Sequence, residues 1–143
     1  MIVYESQVKY IKVGEIPDYA GNSPEAIFNY ILKETYFDPY QENFIVIALT
    51  TRNTIITHKI FTGGVNGIKI DLKPLFKWLL LNNAVSFIIA HNHPSGDITP
   101  SPEDIQTTKQ IKQASRLLDL DLLDHIVFSQ KDFTSIAREG YLR

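Results

Sequence analysis

Two apolar runs anchor the pattern of this chain, Phe44-Ile45-Val46-Ile47-Ala48-Leu49 and Val85 to Ala90. Each has strand length and lacks polar alternation, which predicts buried strands within a sheet. Thr51-Arg52-Asn53 reads as a turn, and Thr54 to Phe61 as a strand folding back on the first run as a hairpin. Nearer the start, alternation across Val3 to Val13 predicts an edge strand, and Asp18 to Asn22, with Gly21, a loop. Ser23-Pro24-Glu25 is a helix start signal, so the first helix runs from there to about Glu34. Gly63-Gly64 and Gly67 break the pattern. Asp71 to Asn82 is apolar almost all round and predicts a mostly covered helix. A third helix begins at Ser101-Pro102 and continues to about Leu118. Asp121 to Phe128 then reads as a strand, and Phe133 to Glu139 as a short terminal turn or helix. Strands and helices interleaved in this way predict an α/β layered domain. Residues 92 to 100 are the one long connection after a core strand, a place where chemistry is often carried.

A chain of 143 residues with 44% hydrophobic content supports one domain with a proper core and is too short for two of ordinary size. The formal net charge of -2 gives no global positive field for a polyanion, so any contact with nucleic acid must be local. Cysteine is absent, which excludes disulfides and thiolate ligands and leaves histidine and carboxylates as the strong metal ligands. The first ten residues lack the basic region and apolar segment of a signal peptide, and no apolar run reaches membrane-spanning length. The expectation is a cytoplasmic protein with no membrane partner.

His91 and His93 stand two residues apart at the end of a predicted core strand, where alternate side chains project to one side. Both can face one ion. Asp104 follows eleven residues after His93, in the first turn of the third helix. On a helical wheel it falls with Thr107, Ile111, Ala114 and Leu118 on the core side, while Lys109, Lys112 and Arg116 point away. Two imidazoles and a carboxylate form a ligand set suited to zinc, with one coordination position left for water. Ser101 and Asp104, with Pro102 between them, also fit a capping box, and capping alone would explain those two residues. It would not explain two histidines at the mouth of an apolar strand.

Catalysis at such a site needs a base for the water proton. Of the seven glutamates, Glu42 is the best placed, just before the strand that begins at Phe44. Its bland alternative is an exposed residue at a strand start. The Ser101 hydroxyl suits the stabilisation of a transition-state oxygen. Asp97 reads as a turn residue bonding its own backbone, and His125 and His58 as structural histidines, although His125 beside Asp124 also fits a supporting group behind a ligand. Lys109, Lys112 and Arg116 form a basic stripe that is more simply a solvated face than a phosphate contact. Trp78 and Leu81 enlarge the apolar helix, which points either to full burial or to a self-association surface such as a homodimer.

His91, His93, Ser101 and Asp104, spaced His-x-His, seven residues, Ser, two residues, Asp, resemble the JAMM motif of the JAB/MPN metalloprotease superfamily. Ala90 to Asp104 is similar to the signature of the bacterial RadC family, historically described as DNA repair proteins, and the likeness extends through Leu123-Asp124-His125-Ile126. It covers roughly Gln41 to the C-terminus. The resemblance implies a cytidine-deaminase-like, three-layer α/β fold in one globular domain, with a mixed central sheet flanked by helices. Residues 1–40 would form a strand and helix packed on a RadC-like unit of residues 41–143. The resemblance further implies a zinc-dependent hydrolase of peptide or isopeptide bonds, in which His91, His93 and Asp104 bind the metal, Glu42 acts through water and Ser101 stabilises the tetrahedral intermediate. Full-length RadC proteins place a helix-hairpin-helix region, associated with DNA, before this unit; the expectation here is a short relative without it. The implied partner is a peptide or protein substrate. The alternative is a DNA repair or DNA-processing factor whose metal site is structural or nucleolytic.

Overall fold

The strongest apolar runs become the middle of the sheet. The computed structural model of the chain describes residues 1–62 and 70–142; the glycines at 63, 64 and 67 lie outside the described residues. In chain order the elements are α1 (Pro24–Glu34), β1 (Asn43–Leu49), β2 (Ile55–Thr62), α2 (Leu72–Leu81), β3 (Ser86–Asn92), α3 (Pro102–Leu117), β4 (Asp121–Phe128) and β5 (Phe133–Ser135). The sheet order is β2-β1-β3-β4-β5, with β3 and β4 parallel and every other neighbouring pair antiparallel. Every residue of β1 and of β3 is buried, as an unbroken apolar run requires when helices cover both faces.

Strand parity sorts the core into two layers. Ile45, Ile47 and Leu49 of β1 and Ile88 and Ala90 of β3 meet Ile27, Tyr30 and Ile31 of α1. Phe44, Val46 and Ala48, with Phe87 and Ile89, meet Leu75, Phe76 and Leu79 of α2 and Ile111 of α3. Each such fully buried aliphatic or aromatic side chain contributes on the order of 1.5–3 kcal/mol, so a helix on either face is held by its apolar stripe. The result is the single three-layer α/β domain expected, with a mixed central sheet.

β4 changes phase as it runs. Phe87 pairs with Leu122 but Ile88 pairs with Asp124, so Leu123 is an extra residue on β4, a local bulge. Leu122 therefore joins the α2 and α3 layer, whereas Ile126 and Phe128 join the α1 layer.

Helix starts follow their sequence signals. Ser23 caps α1 by accepting from the Ala26 amide, and Asp71 caps α2 by accepting from the Lys73 amide. At α3, Ser101 Oγ accepts from Asp104 N while an Asp104 side-chain oxygen accepts from Ser101 N, a reciprocal capping box.

Three expectations need correction. The N-terminal strand over Val3 to Val13 does not form: residues 1–18 are all exposed and carry no regular element. Apolar residues fall on both parities there, with Ile2, Tyr4, Val8 and Tyr10 against Val3, Ile11 and Val13, so no single face could be buried. Pairing with the β2 hairpin is confined to a bridge between Ala20 and Thr54. The C-terminal segment, expected as a short turn or helix, opens as a short strand, β5, before the turn, because the Asp124 carboxylate draws Ser135 Oγ and Ala137 N onto β4. Helix α3 is rotated slightly from the expected wheel: Thr108, Ile111 and Ser115 are its buried residues, while Leu118 is exposed.

Candidate metal centre

Parity places the candidate residues on one face. Phe87 and Ile89 point toward α2 and α3, so His91 does as well. Phe44 pairs with His91 across the sheet. Continuing that antiparallel register by two residues sets Glu42 across from His93. Asp104 arrives from the helix layer that His91 faces, in the first turn of α3.

The side chains converge. His91 Nε2 and His93 Nε2 are 3.0 Å apart. Asp104 Oδ1 lies 3.1 Å from His91 Nε2 and Oδ2 lies 3.2 Å from His93 Nε2. His91 is 1% exposed. Ligand atoms of Glu42, His91 and His93 all lie within 4.8 Å of one another.

Each ligand-type group is held from behind. His93 Nδ1 donates to the Asp97 carbonyl at 2.7 Å. A carbonyl can only accept, so a neutral His93 carries its proton on Nδ1 and presents a bare lone pair at Nε2. His91 Nδ1 meets His125 Nε2 at 2.7 Å, and His125 Nδ1 meets Thr108 Oγ1 at 2.5 Å. The Asp104 carboxylate is aimed by the capping box, so the cap and the cluster use the same side chain. Glu42 is bracketed by an amide clasp: Asn92 Oδ1 accepts from Asn43 N at 2.8 Å, and Asn92 Nδ2 donates to the Gln41 carbonyl at 2.8 Å.

This donor set fits a small divalent ion. Two ring nitrogens and a carboxylate at 3.0–3.2 Å are mutually repulsive unless a proton or a cation lies among them. Zinc–nitrogen bonds of about 2.0–2.1 Å at tetrahedral angles put donor atoms about 3.3 Å apart, close to the spacing found. Asp104 meets that spacing with each histidine through a different oxygen, Oδ1 with His91 and Oδ2 with His93. Glu42 stands farther out, within 4.8 Å, which suits a group acting through an intervening water.

Electrostatics agree with this arrangement. Burial pushes the Asp104 carboxyl up, but the His91 contact and the bonds from Ser101 outweigh it and hold the group well below the usual carboxylate range. Burial, with His91 as a further cause, holds His125 well below the usual imidazole range, so that ring is neutral. Burial raises Asp124 against the lowering effect of bonds from Ser135, Ala137 and His125.

The remaining sequence candidates are distributed as follows. Asp97 is a turn residue, its carboxylate accepting from Thr99 N at 2.9 Å, while its backbone carbonyl orients His93. His58 accompanies Tyr30, with Nδ1 2.7 Å from the phenol oxygen, and is structural. His125 touches His91 directly, the place that the supporting alternative expected of it. Asp124 is not its ring's partner. The basic stripe is broken because Lys112 Nζ turns back to the Leu122 carbonyl at 3.3 Å, leaving Lys109 and Arg116 exposed. Asn43, Asn92 and Thr108 were not legible as site residues from the motif. The spacing of Thr108, four residues after Asp104, was the available signal. Beside the cluster an open cleft of about 240 Å³ is lined by Phe37, Pro39, Asn92, His93, Ser129 and Lys131, among others.

A family model described as RadC-like JAB domain matches residues 21–141, which includes α1 as well as the motif. The UPF0758 protein YsxA of Bacillus subtilis is 40% identical over 133 residues, 92% of this chain and 57% of that protein. The UPF0758 protein BH3032 of Halalkalibacterium halodurans is 37% identical over 130 residues, 90% of this chain and 55% of the relative. A UPF0758 protein of Bacillus pumilus is 38% identical over 125 residues, 87% of this chain and 55% of its own length. The chain thus spans about half the length of the curated relatives it matches. Among the described residues no helix is long and apolar enough to cross a membrane. With the family model covering most of its length and the two histidines, serine and aspartate of the motif gathered at one end of its sheet, the chain belongs to the RadC-like JAB domain family.

Proposed function

We propose that the chain is a zinc-dependent hydrolase that cleaves an amide bond of the peptide or isopeptide type. The observation that carries this reading is the convergence of His91 Nε2, His93 Nε2 and the Asp104 carboxylate within 3.0–3.2 Å, with Glu42 just outside. His91, His93 and Asp104 would hold the ion. Bound zinc supplies Lewis acidity, lowering the pKa of a water to about 7 and polarising a carbonyl oxygen.

The protein groups supply the rest. Glu42 takes the proton of the attacking water and returns it to the departing amine, so that nitrogen leaves neutral. Ser101 Oγ uses a lone pair for the Asp104 amide, which leaves its hydroxyl proton to donate to the oxyanion of the tetrahedral intermediate. The amide clasp of Asn92 keeps Glu42 at its station, and the cleft beside His93 offers room for an extended peptide segment.

The test is elemental analysis of the purified protein and of His93→Ala and Asp104→Ala, with folding checked by circular dichroism. About one zinc per chain, lost in both folded variants, is expected. Glu42→Gln should then retain zinc and lose turnover on peptide and isopeptide libraries. Folded wild type that takes up no zinc on reconstitution overturns the reading. The competing role in DNA processing predicts salt-sensitive duplex binding weakened by Lys109→Ala with Lys112→Ala.

A further inference from the structure

A histidine that faces a metal usually hands its other ring proton to a carboxylate or a carbonyl, groups that can only accept and so fix the tautomer. His93 follows that rule through the Asp97 carbonyl. His91 does not: its Nδ1 meets another imidazole, Nε2 of His125, at 2.7 Å. A neutral imidazole can either donate or accept, so His125 by itself leaves the direction of that bond undecided. If the bond ran the wrong way, the His91 proton would sit on Nε2 and block the ligand position.

The decision is taken one residue farther back. Thr108 Oγ1 bonds the Asp104 carbonyl at 2.7 Å, and since a carbonyl only accepts, the single hydroxyl proton is committed there. Thr108 Oγ1 then has only lone pairs to offer His125 Nδ1, 2.5 Å away, so that nitrogen carries the His125 proton. A fully buried imidazole with no carboxylate partner stays neutral and holds one proton, which leaves His125 Nε2 bare. His91 Nδ1 must therefore donate, and His91 Nε2 faces Asp104 and His93 as a free lone pair, the proton or cation that keeps the three donors together lying on the His93 and Asp104 side rather than on His91.

We infer that Thr108, acting through His125, is a positioning residue that fixes the tautomer of His91 and so primes Nε2 as a metal ligand. The string begins on the Asp104 carbonyl and ends beside the Asp104 carboxylate, so the start of α3 sets both the third ligand and the proton placement of the first. The inference rests on the zinc reading for its consequence, but the tautomer itself belongs to the metal-free protein.

The experiment therefore has two readouts on wild type, Thr108→Ser and Thr108→Val, all checked for folding. Long-range proton–nitrogen correlation spectra of the metal-free protein report which ring nitrogen of His91 is protonated. Chelator competition reports zinc affinity. Wild type and Thr108→Ser should show His91 protonated at Nδ1 and bind alike. Thr108→Val, which keeps the shape but removes the hydroxyl, should move protonation toward Nε2 and weaken zinc binding about tenfold to hundredfold. If Thr108→Val does not fold, His125→Leu serves instead, with the same loss expected. A folded Thr108→Val with unchanged tautomer and unchanged affinity overturns the inference while leaving the zinc reading intact. Wild type that binds no zinc overturns the zinc reading, while the metal-free tautomer comparison still decides whether Thr108 sets the proton.

Discussion

Asn92 Oδ1 accepts the backbone N–H of Asn43 at 2.8 Å, and Glu42 is the residue immediately before that bond. The same Asn92 donates to the Gln41 carbonyl, so the backbone on either side of Glu42 is tied to the end of β3. Asn92 is 2% exposed, and its removal strands the buried Asn43 amide, while the Gln41 carbonyl keeps its bond from Asn43 Nδ2. Asn92→Ala should lower stability by about 1–3 kcal/mol in urea titrations. On the proposed function it should also depress amide hydrolysis with zinc content unchanged, since it frees Glu42 and not the residues that would hold zinc.

Removal of metal should be readable as stability. Ligand at a hundred times its dissociation constant stabilises a native state by about 2.7 kcal/mol. Adding zinc to the metal-free protein should thus raise Tm by several degrees, and a chelator should reverse the rise. Neither effect should appear in His93→Ala. A zinc-independent Tm in wild type would contradict the assignment of these ligands.

Ser101 has two separable duties. Its cap on α3 predicts that Ser101→Ala costs about 1 kcal/mol of stability in denaturant unfolding. Its hydroxyl proton predicts a further fall of about 10²–10³ in kcat if it serves the oxyanion. Ser101→Asn, a cap without the same hydroxyl, should recover much of the stability and little of the rate.

Tyr30 provides a pH prediction remote from the cluster. It is 1% exposed, and burial pushes its phenol up from 10.0 to about 12. A raised folded pKa favours folding fully below the unfolded value, and the benefit is lost as pH rises from 10.0 through about 12. Alkaline titration should therefore remove on the order of 2 kcal/mol in wild type across that window. Tyr30→Phe should lack that component of the loss, as measured by urea unfolding at fixed temperature.

The core strands and the side chains that cluster at the candidate site were legible because each depends on local rules. Period two put His91 and His93 at a strand end, and cap chemistry marked Ser101 and Asp104 from four letters of sequence. What could not be read depends on groups distant in the chain. Asn92 acquires meaning only from Asn43, 49 residues away, and His125 only from His91, 34 residues away. Thr108 was hidden by the rotation of α3: a wheel at fixed pitch selected Thr107 as the inward threonine, whereas packing turned Thr108 toward the sheet. The alternation near Val3 misled because it is not strict: apolar residues on both parities leave no single face for a layer to bury.

The extra residue in β4 makes the site a matter of counting. Because Leu123 has no partner of its own on β3, His125 lies on the same face as Leu122, three positions earlier, where an even ladder would put the two on opposite faces. Giving Leu123 a partner of its own, as an even ladder continuing from Leu122 would, leaves every histidine in the chain yet turns the ring of residue 125 toward α1, away from His91 and Thr108, whereas deleting Leu123 would even the ladder and keep that ring in place. The supporting half of this centre is thus encoded in the register of a strand as much as in the identity of its residues, and a search by motif letters alone would pass over its loss.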